Sequence, residues 1–252
     1  MAIWFEMSEM TSPEFKAALQ TVRVALIPVG ATEQHGPNLG LGTDYVVGHR
    51  LARRLAERLH PRAVVVPPLP FGVSPHHMGF AGTISLSAEA FLAVGFDIGK
   101  SLQTNGIRHL LFVNGHAGNV AILNVLTTKL HYELGVQAAS SFYFAQAADK
   151  VKAHGKTARY GHACEIESSV VLALAPELAR PEAFEPGDMI ATERKFSFNN
   201  QTHFLQVPIP FHEQTRNGAF GDARLATVAV GEEVIGAAVE RTLEFLDGFL
   251  AT

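Results

Sequence analysis

Residues 24–44 read VALIPVGATEQHGPNLGLGTD. The first seven form an apolar run rich in branched side chains, too short for a buried helix, so they make a strand covered on both faces, as in a parallel sheet under helices. Beyond Gly30 the chain changes character and places Glu33, His35 and Asp44 close together in sequence. A second short apolar run, HLLFVN at 109–114, exits into NGHAGN and supplies His116. In an open parallel sheet, ligands sit beyond the carboxyl ends of the strands, and both of these loops leave strands at that end. Glu33 and His35 are separated by one residue, so in an extended segment they point to the same side, and Asp44 can swing in from the start of the following helix. Either histidine alone would be read as a hydrogen-bonded structural residue, and Asp44 alone as a helix cap. Two carboxylates and two imidazoles on neighbouring loops instead point to a metal site.

Working outward, strand-like runs alternate with amphipathic stretches, the pattern of an α/β fold with crossover helices. A helix is expected from about Thr43, with Val47, Leu51, Leu55 and Leu59 as its core stripe. AVVVPPL at 63–69 is the next strand, and the loop FGVSPHHMGFAGT leads to a helix capped by Ser87 and ended by Asn105-Gly106. After HLLFVN come a helix over 119–134 and a strand over 136–144. HACEIESSVVLALAP reads as a helix interrupted by Pro176, 181–221 as loop, and 222–250 as a closing helix. The whole chain, 1–252, is expected to be one domain, because 252 residues that are 47% hydrophobic can fill one large core and no linker interrupts them.

A formal net charge of −4 supplies no basic field, which argues against nucleic acid and anionic membranes as partners and favours a small neutral or polar substrate. The lone Cys164 cannot form an internal disulfide, the N-terminal residues lack a signal-peptide pattern, and no apolar run approaches the roughly 20 residues needed to span a bilayer. A cytoplasmic location is expected.

PVGATEQHGPNLGLGTD, FGVSPHHMGFAGT, VNGHAGN, HACEIESS and NGAFGDARLAT together resemble, in order and spacing, the creatininase family of metal-dependent amidohydrolases. The resemblance implies a three-layer α/β/α fold with a mainly parallel sheet, two divalent metal ions per chain (zinc, manganese or both), and a homohexamer. It makes Glu33, Asp44 and His116 ligands of one ion, and His35 and Asp44 ligands of the other, Asp44 bridging. Creatininase takes a further glutamate two residues after the NGH histidine, where this chain has Gly118. Glu165 is expected to compensate. In a continuous helix it would share a face with His162 at i, i+3, whereas Glu167 would point away and orient a ligand from behind. Asn38 and Gly40 also depart from the histidine and proline of many relatives.

The implied reaction is hydrolysis of a non-peptide C–N bond, in an amide, lactam or formamide, by a hydroxide that the ions make available near neutral pH. Three carboxylates and two divalent ions sum to +1, and a bridging hydroxide brings the site to zero. His162, with Glu165, is the catalytic pair by resemblance, the imidazole giving a proton to the leaving nitrogen. Ser74 and His77 are candidate substrate contacts. Creatinine itself is disfavoured, because creatininase closes tryptophans over its ring and the sole tryptophan here is Trp4. The alternatives are ring-opening of an oxidised cyclitol or sugar and, in another class, a non-catalytic metal-binding assembly subunit.

Overall fold

The computed structural model describes residues 5–191 and 207–251. In chain order its helices and strands are α1 (Ser12–Ala18), β1 (Val24–Val29), α2 (Thr43–Leu59), β2 (Ala63–Val65), α3 (Ala88–Thr104), β3 (His109–Asn114), α4 (Val120–Leu134), β4 (Gln137–Phe142), α5 (Tyr143–Gln146), α6 (Ala148–His154), α7 (Glu165–Leu174) and α8 (Val228–Phe249). The four strands form a parallel sheet in the order β2-β1-β3-β4.

The strand β1 is buried along its whole length because both of its faces are covered. Val24 and Leu26 face Val47, Leu51 and Leu55 of α2, Ile166 and Val170 of α7, and Val234 and Ile235 of α8. Ala25, Ile27 and Val29 face Phe91 and Leu102 of α3 and Leu123, Leu126 and Leu130 of α4. Two apolar cores on opposite sides of one sheet make the three-layer α/β/α architecture. The pairing Val29↔Asn114 sets the carboxyl ends of β1 and β3 side by side, which is what brings their exit loops together.

Local signals explain most boundaries. The Ser87 hydroxyl accepts from Ala90 N at 3.1 Å to start α3, and Gly135, with φ of 65°, ends α4. The continuous ladder of the 63–69 run ends at Val65, since Pro67 and Pro68 have no N–H to give it, and pairing with β1 resumes only as an isolated bridge from Leu69 to Val29. The strand expected over 136–144 stops at Phe142 and turns into α5. The last helix begins six residues later than expected, at Val228 in place of residue 222, capped by Thr227, whose hydroxyl accepts from Val230 N at 3.2 Å. Of the expected 181–221 loop, the described parts hold short 3-10 turns and isolated bridges but no helix or strand longer than these, and 192–206 lie outside the described residues. No described helix is long and apolar enough to cross a membrane.

Candidate metal centre

The exits of β1 and β3 are stitched together by amides before any site residue is placed. Asn119 Nδ2 donates to Gly30 O at 3.0 Å, while Asn119 Oδ1 accepts from Val73 N at 3.0 Å. Asn114 folds back on the next turn, its Nδ2 donating to His116 O at 2.7 Å and its Oδ1 accepting from His116 N at 3.0 Å. Between them Gly115 lets the start of α2 press against the β3 exit, for a Cβ there would lie 2.0 Å from Asp44 O. Asp44, in the first turn of α2, therefore reaches His116 across the strand ends.

The resulting cluster is buried and tight. His35 Nε2 lies 3.2 Å from Asp44 Oδ1, and His116 Nδ1 lies 3.0 Å from Asp44 Oδ2 and 3.3 Å from Glu33 Oε1. Asp44 thus offers one oxygen to each imidazole. The far nitrogens of both rings meet acceptors: His35 Nδ1 donates to Glu33 O at 3.1 Å, and His116 Nε2 faces Val73 O at 3.2 Å and Ser74 Oγ at 3.1 Å. That leaves His35 Nε2 and His116 Nδ1 turned toward the carboxylates.

This donor set fits a divalent cation. Glu33 Oε2, His35 Nε2 and Asp44 Oδ2 are buried without a hydrogen-bond partner, and each such atom costs about 1–3 kcal/mol if nothing else engages it. Glu33, His35 and Asp44 bring ligand atoms within 4.8 Å of one another, and Glu33 with His76 and His116 forms a second such group. Burial discourages charge on His116, but Glu33 and Asp44 outweigh it and push the imidazole up to about 10. His35 is likewise held well above the usual histidine range, against its burial, by Asp44 and Glu167. Burial pushes the Glu33 carboxyl up, whereas for Asp44 the opposing pull of His35 and His116 overcomes burial and holds the carboxyl below its usual range. The site draws positive charge into a closed pocket.

Glu165 is directed elsewhere. Its Oε1 accepts from Lys156 N and Thr157 N, each at 3.0 Å, and from Thr157 Oγ1 at 2.8 Å, and its Oε2 accepts from Asp222 N at 3.0 Å. Four donors use up a carboxylate's capacity, so neither a ligand role nor a catalytic role fits it. The expectation failed because it ran one helix through His162. That residue is instead extended and bridged to Phe220, Ala163 takes φ of 49°, and α7 starts only at Glu165. The turn brings Glu167 inward. Its Oε2 accepts from Ala163 N at 2.5 Å and its Oε1 lies 3.7 Å from His35 Nε2, and it groups with His35 and His162 within ligand reach. At Gly118, a Cβ would meet His116 Nε2 at 2.3 Å, Val73 O at 2.5 Å and His76 Cε1 at 2.9 Å, so no carboxylate can stand there.

His162 Nε2 donates to the backbone carbonyl of Gln34 at 2.8 Å, which turns Nδ1 toward the cluster, 3.8 Å from Glu33 Oε1. Burial and the neighbouring His35 hold its ring well below the usual range, so it rests neutral, with the inward nitrogen bare. His77 also lines the pocket, its Nε2 3.3 Å from Glu33 Oε1. Ser74, expected at the substrate, is fully buried behind His116 and outside the pocket wall. Asn38 is a strut, donating to Ala163 O at 3.0 Å and accepting from Glu185 N at 2.9 Å, which ties the β1 loop to the turn before α7. His76, Phe211 and Phe220 complete a cavity of about 120 Å³ over the cluster. Beside it runs a cleft of about 760 Å³ bounded by Phe142, Phe144, Tyr160 and Lys152. Trp4 lies outside the described residues. Sequence reasoning missed Gln34, whose only signal is a polar side chain between two inward-pointing ones in a buried loop.

Comparison with known proteins places the fold and the family. The creatininase family model, described as creatinine amidohydrolase, matches residues 8–246. The chain belongs to the creatininase family. A mycofactocin precursor peptide peptidase of Mycobacterium ulcerans is 34% identical over 190 residues, 73% of this chain and 70% of the relative. A 3-dehydro-scyllo-inosose hydrolase of Thermotoga maritima is 28% identical over 242 residues, 93% and 75% respectively. A crystal structure from Bacteroides fragilis, of a protein named as a creatinine amidohydrolase, superposes with a TM-score of 0.86 at 25% identity, over 100% of this chain and 98% of that one. Creatininase structures in a zinc–zinc form and a manganese form, each 24% identical, share the fold with TM-scores of 0.80 and 0.79. As a creatininase-family member, this protein is a metal-dependent amidohydrolase.

Proposed function

We propose that the chain hydrolyses a C–N bond of a small polar substrate, of amide, lactam or formamide type, at a centre that holds two divalent ions. The supporting observation is that Glu33, His35, Asp44 and His116 converge with three buried atoms left unpartnered. Glu33, Asp44 and His116 would hold one ion and His35, Asp44 and Glu167 the other, Glu167 taking the place expected of Glu165. The charge count is unchanged by this exchange, because one glutamate replaces another. Zinc and manganese both suit mixed carboxylate and imidazole donors. Bound ions of this kind polarise a carbonyl and make hydroxide available near neutral pH.

The chain's own residues supply the rest. His162 presents a bare Nδ1 to the cluster, so it would take the proton that the attacking water or hydroxide oxygen gives up as it adds to the carbonyl and then pass that proton to the leaving nitrogen, a relay rather than a resting acid. Phe142, Phe144, Phe211 and Phe220 shield the cavity from bulk water, which strengthens every charge interaction inside it. The same walls, with no described tryptophan among them, argue against creatinine. A homohexamer is part of the proposal on the family resemblance, and a cytoplasmic location on the sequence reading.

Metal analysis with a substrate panel tests the reading. Purified protein should carry about two equivalents of zinc or manganese per chain, falling to about one in Glu167→Gln. The loaded enzyme should turn over lactams, hydantoins, formamides or short peptide amides. A parent protein that binds neither metal would sink the proposal, leaving the non-catalytic assembly subunit. The second reading, opening of a keto-cyclitol ring, is supported by the likeness to the Thermotoga hydrolase over 93% of the chain. Turnover of keto-cyclitols but no amide would select it.

A further inference from the structure

Gln34 is buried between the two histidines that face the cluster from the open side, and its carboxamide orientation is fixed by groups that cannot change roles. Gly36 N, a donor, lies 2.8 Å from Oε1, so that atom is the oxygen. Gly218 O, an acceptor, lies 3.0 Å from Nε2, so that atom is the nitrogen and spends one hydrogen there. Its second hydrogen has two claimants, His77 Nδ1 at 2.9 Å and His162 Nε2 at 3.1 Å. His162 Nε2 also sits 2.8 Å from the Gln34 carbonyl, where a bare nitrogen would set lone pair against lone pair, so Nε2 carries its own hydrogen and donates it there. The amide hydrogen therefore goes to His77 Nδ1. A neutral ring that accepts at Nδ1 carries its proton on Nε2, and that nitrogen lies 3.3 Å from Glu33 Oε1.

We infer that Gln34 is a positioning residue that locks His77 and His162 in defined tautomers, so that His77 presents an N–H to Glu33 and His162 presents a bare nitrogen to the cluster. The inference rests on the cluster being the working site, as proposed above. It gives His77 a role other than the substrate contact expected from sequence: its N–H fastens Glu33 Oε1 and leaves Oε2 as the oxygen without a partner. It also explains why a polar side chain lies buried within the glutamate-to-histidine stretch of the β1 loop. One residue sets the proton position on two rings that face the same glutamate, through its carboxamide at His77 and its backbone carbonyl at His162.

Magic-angle-spinning nitrogen NMR of histidine-labelled protein, zinc-loaded and metal-free, reads the tautomers directly. His77→Asn and His162→Asn assign the signals by their loss. The parent should show His77 and His162 each protonated at Nε2 and bare at Nδ1. Gln34→Glu replaces the donor facing His77 by an acceptor, and the His77 proton should move to Nδ1 while bound zinc stays within about twofold of the parent. Should that variant fail to fold, the parent spectrum decides alone. A parent with either ring protonated at Nδ1, or a folded Gln34→Glu with an unmoved His77 proton, overturns the inference. Failure of the metal-site reading looks different: the tautomers would be as stated, with no zinc bound under any loading condition.

Discussion

The β1 loop and the first turn of α7 both bury carboxylates, and they treat them in opposite ways. Glu165 is surrounded by three backbone N–H groups and a hydroxyl, all aimed at its two oxygens. Glu33 and Asp44 instead face imidazoles, and Glu33 Oε2 and Asp44 Oδ2 receive no well-aligned hydrogen bond from the chain. A buried acid whose lone pairs are all engaged holds the fold together. One left partly unengaged, beside other such groups, is held ready for something the chain does not itself supply. Glu167, two residues from Glu165, sides with the loop: one oxygen is fastened to Ala163 N and the other is turned toward His35.

The harshest test of this contrast is Asp44→Asn, which removes the carboxylate that reaches both imidazoles. Bound metal should fall from about two equivalents to near none, measured by elemental analysis, and turnover should vanish with it. Retention of both ions would remove Asp44 from the bridge. Next comes the pair on α7. Glu167→Gln should lose about one equivalent of metal, whereas Glu165→Gln should keep both and lose about 1–3 kcal/mol of stability in a denaturant titration, because an amide cannot accept from all four donors. An exchange of those two results would restore the reading made from sequence.

Acid should weaken the loop's grip in a predictable direction. In the metal-free protein His116 keeps its proton up to about 10, and Nδ1 must give it up to bind an ion. Lower pH favours the protonated, empty form, so affinity should fall about tenfold for each pH unit below that value and per proton displaced, and flatten above it. Isothermal titration of zinc in buffers of different ionisation heat would show the released proton. A pH-independent affinity would mean that His116 is not a ligand. The smallest effect belongs to Ser74→Ala. Losing the hydroxyl behind His116 should weaken metal binding about tenfold and leave the chemistry otherwise intact, while an unchanged dissociation constant would reduce Ser74 to packing.

Much of this was legible because it was local. The apolar run before Gly30 announces a doubly covered strand, Ser87 and Gly135 mark the helix ends they do mark, and alternation along an extended segment puts Glu33 and His35 on one side. What was not legible depended on a turn. Nothing in HACEIESS says that Ala163 adopts a positive φ or that His162 pairs with Phe220, and only those two facts exchange the destinations of Glu165 and Glu167. Gly118 was read correctly as a position that cannot coordinate. Its physical cause, the imidazoles of His116 and His76 and the Val73 carbonyl filling the space, required neighbours from another loop.

The sequence by itself determined the layered α/β fold, the family, and four of the five residues now proposed as ligands, because strand periodicity, cap chemistry and motif order are properties of the chain read along its length. The tertiary structure decided which glutamate faces the cluster, that Ser74 stands behind His116, and that Gln34 sets the protons of two histidines. Those outcomes depend on which partners reach a buried polar group first, and the partners come from segments as far apart as Gly36, Thr157 and Asp222, whose N–H groups donate, and Gly218, whose carbonyl accepts.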